Sequence, residues 1–438
     1  MSDEHSVLEA TAREALAAAK LITGYYELNG IKSPSFGADG GDATALRQAP
    51  VNVREARDKL LGATAKLHQL IMDPTEYLPW LAVQYQLIAS VQWLAHFQVL
   101  SAIPLTGSAD YEHVARLCNV PVRHLLGFAR MAMTTGFLCE PAPGKLAHTP
   151  ASRNFAANHA AYTGWTKFMT GFYMPVAAKS AEATQKWGQT DDQTHTAANL
   201  AMNMNQTSFD FITGHRELGR LFSGYMKGVY GGVATNVAHV VHDLDWASVG
   251  QGVVVHIDGA PGSVAVALAE SFPRLRFVVQ DSPETLGNSR GLMAAQPAHV
   301  RERIQTVAAD RFTVQQPRPG PVVYIIRMTL HNHSDSECQR ILNGVLPAMR
   351  ANPEAKLLIV DTVLSDVVDP NGNPAHDALE RYRDLVMFQV FATKERHHYE
   401  FEELLASVAD AQGRLVIEAV RKQPGSTLSA LEIVYRPN

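Results

Sequence analysis

The spacing of apolar positions along this chain changes once, near Leu244, and the change separates two kinds of architecture. Before it the period is helical. Leu8, Ala12, Ala15, Ala19 and Ile22 predict a first helix over 7–22, and Ala56, Leu60, Ala63, Leu67, Leu70 and Ile71 predict a strongly amphipathic one over 52–72, ended by Asp73-Pro74. Between them Ser33, Pro34, Gly37, Gly40, Gly41 and Pro50 break the pattern, as a flexible linker or surface loop does. Residues 83–103 are largely apolar all round, which predicts a helix buried on more than one side. Next come a helix over 111–117, a turn at Asn119-Val120-Pro121, a helix over 122–134, and a two-stranded wing around Pro143-Gly144. Residues 150–230 are helical and rich in aromatics and methionines, among them Trp165, Phe168, Phe172, Tyr225 and Met226. These read either as helix core or as the apolar roof of a pocket.

After Leu244 short apolar runs at 253–257, 275–279, 304–308, 322–327, 356–362, 414–420 and 428–435 predict strands, with helices between most of them. The fold class is α/β, an N-terminal all-α region followed by a doubly wound, Rossmann-like domain.

Composition narrows the function. An apolar share of 46% with 18% charged residues is an ordinary globular balance. A net charge of −5 argues against a nucleic-acid footprint. The second helix of the winged segment sets Arg123, His124 and Arg130 among Leu125, Leu126, Phe128 and Met131, a face made for packing. Cys118, Cys139 and Cys338 lie far apart without metal-ligand spacing, which fits reduced thiols. The acidic start, MSDEHSVLEA, does not open like a signal peptide, and no apolar run approaches the roughly twenty residues of a membrane span. A cytoplasmic location is therefore expected, with no membrane partner.

The chemistry is expected at the carboxyl ends of the parallel strands. The stretch from Val253 to Glu284 reads strand, tight turn, helix, then a strand ending in Asp281, an arrangement that suits a nucleotide-like cofactor. Later strand ends carry Asp310 and Phe312, then Arg327, His331 and His333, then Asp361. A helix is expected to carry Lys394, Glu395, Arg396, His397 and His398. A histidine just past a strand end titrates near neutrality and suits acid–base work, and Asp361 or Glu395 would fix its tautomer. His331-x-His333 has metal-like spacing but no assigned third ligand, so no metal is expected.

Several stretches together resemble one family: VREARDKLLGATAKLHQLIMDP, GFLCEPAPGKLAHTPASRNFA, LDWASVG, FVVQDSPE, YIIRMTLHNHSDSECQRIL and MFQVFATKERHHYEFEELL. The chain is similar, over roughly 52–410, to fungal-type S-adenosylmethionine-dependent O-methyltransferases with an N-terminal dimerisation and winged-helix region. The resemblance implies a seven-stranded methyltransferase sheet, a homodimer, and a small-molecule acceptor pocket closed by the helical region. It divides the chain into 1–51, an N-terminal helix and flexible linker; 52–160, the dimerisation and winged-helix domain; 161–243, a helical connector and pocket roof; and 244–438, the Rossmann-like methyltransferase domain. It implies His331 as general base, Asp361 and Glu395 as its flanking acids, and Asp281 as the ribose-binding acid. Asp310 and Phe312 fall near the cofactor's adenine and sulfonium.

The departures fall in the cofactor turn, where Asp258, Gly259 and Gly262 are the candidate binding residues. His256 stands where the family has an acid, and Asp258 and Ala260 stand for two glycines. An Asp258 carboxylate about 4 Å from the carboxylate of S-adenosylmethionine would repel it by roughly 4 kcal/mol at an effective dielectric of about 20. The favoured expectation is therefore a repurposed, pericyclase-type enzyme of secondary metabolism that cyclises or dehydrates a polyketide-derived molecule. His331, His333, Arg327 and Glu395 would then polarise the substrate. The alternatives are an active O-methyltransferase on a phenol or enol, and an inactive dimeric binding protein.

Overall fold

The helical period of the first half is realised in the computed structural model, which describes residues 6–369 and 372–438; residues 1–5 of the acidic start lie outside them. Two units result, Met1–Glu182 with Ala197–Val229 and Asp369–Asp377, and Ala183–Thr196 with Tyr230–Val368 and Ala378–Asn438.

In the first unit the helix Val7–Leu28 packs on Val51–Ile71 through Ala18, Ile22 and Tyr26 against Val53 and Ala56. The stretch read as a flexible linker or surface loop is a folded loop. Pro34 bridges Gly41, Leu46 is buried, and the Tyr26 hydroxyl donates to the Asp42 carbonyl at 3.2 Å. Its glycines permit this, since a Cβ on Gly41 would lie 2.0 Å from the Lys32 carbonyl oxygen. The apolar helix, Tyr77–His96, departs from expectation. Only Ser90, Leu94 and Ala95 are buried, while Tyr77, Leu78, Trp80, Leu81 and Tyr85 are exposed, Leu78 at 73%. Helices Tyr111–Cys118 and Val122–Met133 precede a small antiparallel sheet of β1 (Ala109–Asp110), β2 (Leu138–Cys139) and β3 (Lys145–His148) in the order β1-β3-β2. The two-residue β1 is too short for apolar alternation to reveal. Phe168, Phe172, Tyr173 and Tyr225 pack on one another, and Phe168 and Phe172 are fully buried, so the core reading holds for them.

All seven predicted strands of the second half are present: β4 (Val253–Ile257), β5 (Arg276–Asp281), β6 (Ile304–Ala308), β7 (Val322–Arg327), β8 (Ala355–Asp361), and, after the short β9 (Val363–Leu364) and β10 (Arg396–His397), β11 (Gly413–Lys422) and β12 (Ser429–Pro437). They form one sheet ordered β11-β12-β8-β7-β4-β5-β6. The strands from β6 to β8 are parallel, and β12 runs antiparallel to both its neighbours. Both faces are covered, which is why the strands read as apolar runs without alternation. Val255, Ile257, Tyr324, Ile326, Leu357 and Ile359 pack against Ile341, Leu342 and Val345 of the helix Asp335–Ala351. Val254, Phe277, Val279, Val323, Ile325 and Leu358 pack against Val264, Ala265 and Leu268 of the helix Ser263–Ser271. Each such side chain contributes about 1.5–3 kcal/mol on full burial. Successive connections wind one way from β4 to β6 and the other way from β7, so a switch point opens at the carboxyl ends of β4 and β7. No helix among the described residues is long and apolar enough to cross a membrane.

Candidate active site

The turn after β4 is shaped by packing beneath it and charge beside it. His256, on β4, is buried with no hydrogen-bond partner for either ring nitrogen among the described residues. Burial, helped by the charge of Arg327, pulls its pKa down to about 3, so it is a neutral packing group. Gly259 lies directly on it, since an added Cβ would sit 2.5 Å from His256 Cγ. Gly262 has φ +90° and opens the following helix. Asp281, at the end of β5, accepts from Ala260 N at 3.0 Å and from Ser282 N at 2.8 Å, which ties the acid to the turn.

Asp258 has φ 53°, in the left-handed region where glycine is the easy occupant and aspartate one of the better tolerated alternatives. Its carboxylate pairs with Arg311, Oδ2 to Nη1 at 3.0 Å. Burial pushes its pKa up to about 6, with Arg311 opposing the rise and Asp281 and Asp310 adding to it. The uncompensated carboxylate expected from the sequence is therefore corrected: a guanidinium already offsets it. Arg311 lies between Asp310 and Phe312 in the loop after β6. Asp310 is exposed and accepts from Phe312 N at 2.7 Å, while Phe312 is half-buried beneath the Arg340 guanidinium at 4.1 Å. Gln280 and Gln315 hold that loop to β5 by two reciprocal amide bonds of 3.0 Å.

His333 joins this side. Its Nε2 lies 2.6 Å from Arg311 Nη1, and its Nδ1 3.3 Å from Glu337. An arginine only donates, so Nε2 accepts and the ring carries its proton on Nδ1. Burial and Arg311 lower its pKa.

His331 belongs to a separate, deeper group. Its Nδ1 lies 3.0 Å from Glu395 Oε1 and 3.6 Å from Asp361 Oδ1, and all three residues are buried. Arg383 donates to the same Glu395 oxygen at 3.3 Å. Burial alone would lower the His331 pKa, but the charges of Glu395 and Asp361 outweigh it and raise it. Burial pushes the Glu395 carboxyl up, yet His331 and Arg383 together leave it below the usual range. Burial pushes Asp361 up to about 6, with His331 and Arg383 opposing and Glu395 adding to the rise. The Nε2 of His331 has no hydrogen-bond partner among the described residues. The ligand atoms of His331, Asp361 and Glu395 lie within 4.8 Å of one another, a spacing that admits a cation and that the sequence did not suggest. The Arg383 guanidinium already supplies positive charge there.

Glu395 does not sit on a helix as expected. The helix Pro374–Phe391 ends at Ala392, which has φ 53°, and the next begins at His398. Residues 393–395 are the connection, leading into β10, which pairs in parallel with β9 beside Asp361. Arg396, 1% exposed, holds the loop of His331 from below. Its guanidinium donates to the Leu330 and His333 carbonyls at 2.9 and 3.0 Å and forks onto Asp335 at 3.0 and 2.7 Å.

Arg327 makes no hydrogen bond to either group among the described residues, though Arg383 and Asp361 of the deeper group act on its charge. It is buried, donates to the Thr235 carbonyl at 2.7 Å, and lies 5.8 Å from the Tyr230 ring centre. Arg311 and Arg383 are the functional candidates that sequence reasoning missed. Arg311 was adjacent to chosen residues and Arg396 was among those named, but nothing in the sequence paired Arg311 with Asp258 or Arg396 with the Leu330 carbonyl.

The residues present fit S-adenosylmethionine. Asp281 and the Gly259–Gly262 turn lie together at the switch point, and Arg311 compensates the acid in that turn. Residues 201–409 match the O-methyltransferase domain family, and residues 5–72 match the N-terminal domain of the trypacidin cluster transcriptional coactivator tpcD. The O-methyltransferase VdtC of Byssochlamys spectabilis is 36% identical over 98% of each chain. Among solved structures, the LepI complex with SAM shares the fold at a TM-score of 0.71 and 17% identity, covering 98% of this chain and 100% of that one. A pericyclic reaction enzyme does so at 0.70 and 18%, covering 90% and 96%.

Proposed function

The chain belongs to the O-methyltransferase family, and on that premise we propose that it methylates a phenolic or enolic hydroxyl of a small natural product, with His331 as the base. The observation that carries this reading is the His331–Glu395 bond of 3.0 Å, which occupies Nδ1 and leaves Nε2 for a substrate proton. Glu395 fixes the tautomer, Asp361 and Glu395 stabilise the imidazolium that forms, and Arg383 keeps Glu395 ionised. When bound, S-adenosylmethionine supplies an electrophilic methyl group. Asp281, the turn and the Phe312 loop are the residues that would hold it.

A second reading is cyclisation or dehydration of a polyketide-derived molecule by hydrogen bonding. It is favoured by Asp258 in the turn and by the raised pKa of His331, which keeps imidazolium available as a donor. We place it second because Arg311 offsets part of the Asp258 charge. We also propose that the exposed apolar face of Tyr77–His96 meets a second copy of the chain, which sedimentation would read as a dimer. The test of the main reading is transfer of labelled methyl to a panel of polyketide phenols. Wild type should label them and His331→Ala should not; equal labelling by both would remove His331 from the chemistry.

A further inference from the structure

In most settings an acid at the tip of a cofactor turn would be an obstacle. Here it comes with its own counter-ion, and neither member is saturated. Asp258 Oδ2 and Arg311 Nη1 meet at 3.0 Å, and Nη1 also serves His333. Asp258 Oδ1 and Arg311 Nε and Nη2 have no hydrogen-bond partner among the described residues. The pair is thus a negative and a positive group side by side, each with unused polar atoms, at the switch point where the fold takes its ligands.

We propose that the Asp258–Arg311 pair is a clamp for an α-amino-acid zwitterion, Asp258 taking the ammonium and Arg311 the carboxylate of the cofactor's methionine end. The proposal rests on the methyl-transfer reading above and assigns to this chain's own substitutions a role that glycine cannot perform. A guanidinium presents several donors in one plane and suits a carboxylate. Asp258 is the carboxylate paired with this guanidinium, and the charges of Asp281 on β5 and Asp310 in the loop after β6 act on Asp258 as well. The surplus negative charge suits a ligand that carries a sulfonium and an ammonium against one carboxylate. Burial is the main reason the Asp258 pKa is raised, and the neighbouring Asp281 and Asp310 add to it against Arg311, so a ligand ammonium beside Asp258 would meet a carboxylate short of compensating charge.

The test compares S-adenosylhomocysteine with methylthioadenosine, which lacks the amino-acid end, by calorimetric titration of wild type, Arg311→Met and Asp258→Asn. The readout is the ratio of the two affinities. The clamp requires that ratio to fall about 10- to 100-fold in Arg311→Met and to fall in Asp258→Asn, with methylthioadenosine binding preserved in both as the control for folding. An unchanged ratio in both variants overturns the clamp and leaves methyl transfer standing. A ratio that rises in Asp258→Asn shows that Asp258 repels the ligand and also overturns it. If wild type binds neither probe, the clamp and the methyl-transfer reading fall together.

Discussion

Glu395→Gln removes one charge from the buried group while keeping an acceptor for the His331 Nδ1–H. At 3.0 Å, opposite unit charges attract by about 5 kcal/mol at an effective dielectric of about 20. Arg383 shares the same oxygen and burial opposes the imidazolium, so the net cost sits nearer the about 3–5 kcal/mol of breaking a buried pair. As base, His331 acts only when neutral, so wild-type methyl transfer should rise with pH along a limb above the ordinary histidine pKa of about 6.5. In Glu395→Gln that limb should move to lower pH, and the plateau kcat should drop about 10²–10³-fold as the base weakens. Stability carries the same sign. A histidine pKa raised by folding lends stability that is complete below about pH 6.5 and is lost as pH rises through the folded value. The variant should therefore be most destabilised, relative to wild type, on the acid side. Initial rates and urea midpoints across the neutral range measure both. A limb that does not move refutes the electrostatic argument. A wild-type rate that falls with pH through the same limb would assign His331 as an acid and favour the cyclisation reading.

Gly259→Ala should cost about 1–3 kcal/mol, because its Cβ meets His256 at 2.5 Å, and His256→Ala in the same chain should recover most of it in a denaturant double-mutant cycle. His256→Leu should raise stability by about 1–2 kcal/mol at neutral pH by removing two unpartnered buried nitrogens. Because the folded His256 pKa is depressed to about 3, wild type should lose stability as pH falls from about 6.5 through about 3, and His256→Leu should flatten that loss in acid unfolding curves. Arg396→Met strips the Leu330 and His333 carbonyls of a donor and should cost about 2–6 kcal/mol in thermal unfolding. Its bond to Asp335, half exposed, adds little. Arg396 acts through the His331 loop, so kcat should fall with KM little changed, and Arg396→Lys should restore only part of it.

The strands were legible because buried parallel strands are short apolar runs, and the rule of carboxyl ends placed Asp258, Asp281, His331 and Asp361 at one edge. What escaped the sequence was pairing. Arg311 reaches Asp258 across two loops, Arg383 reaches Glu395 from a helix, and such partners depend on tertiary placement alone. The backbone partner of Arg327 escaped as well, since nothing in the sequence tied its guanidinium to the Thr235 carbonyl. The Tyr77–His96 helix was misread because an apolar helix surface records affinity for something apolar and not whether this unit supplies it.

Asp258, Met328 and Ala392 all take left-handed backbone near φ 52–53° without being glycine. Each stands at the joint where an element ends and a segment bearing a site group begins: the cofactor turn, the loop of His331, the connection of Glu395. A glycine joint would have several neighbouring wells of low energy and would let the segment swing. A residue with a Cβ held in that one well has nowhere close to go, at a cost of roughly 1–2 kcal/mol per joint. The strain works as angular indexing. It fixes the bearing at which two segments leave strands and a third leaves a helix, and at Met328 and Ala392 it lets the imidazole and Glu395 meet without waiting for a ligand to align them.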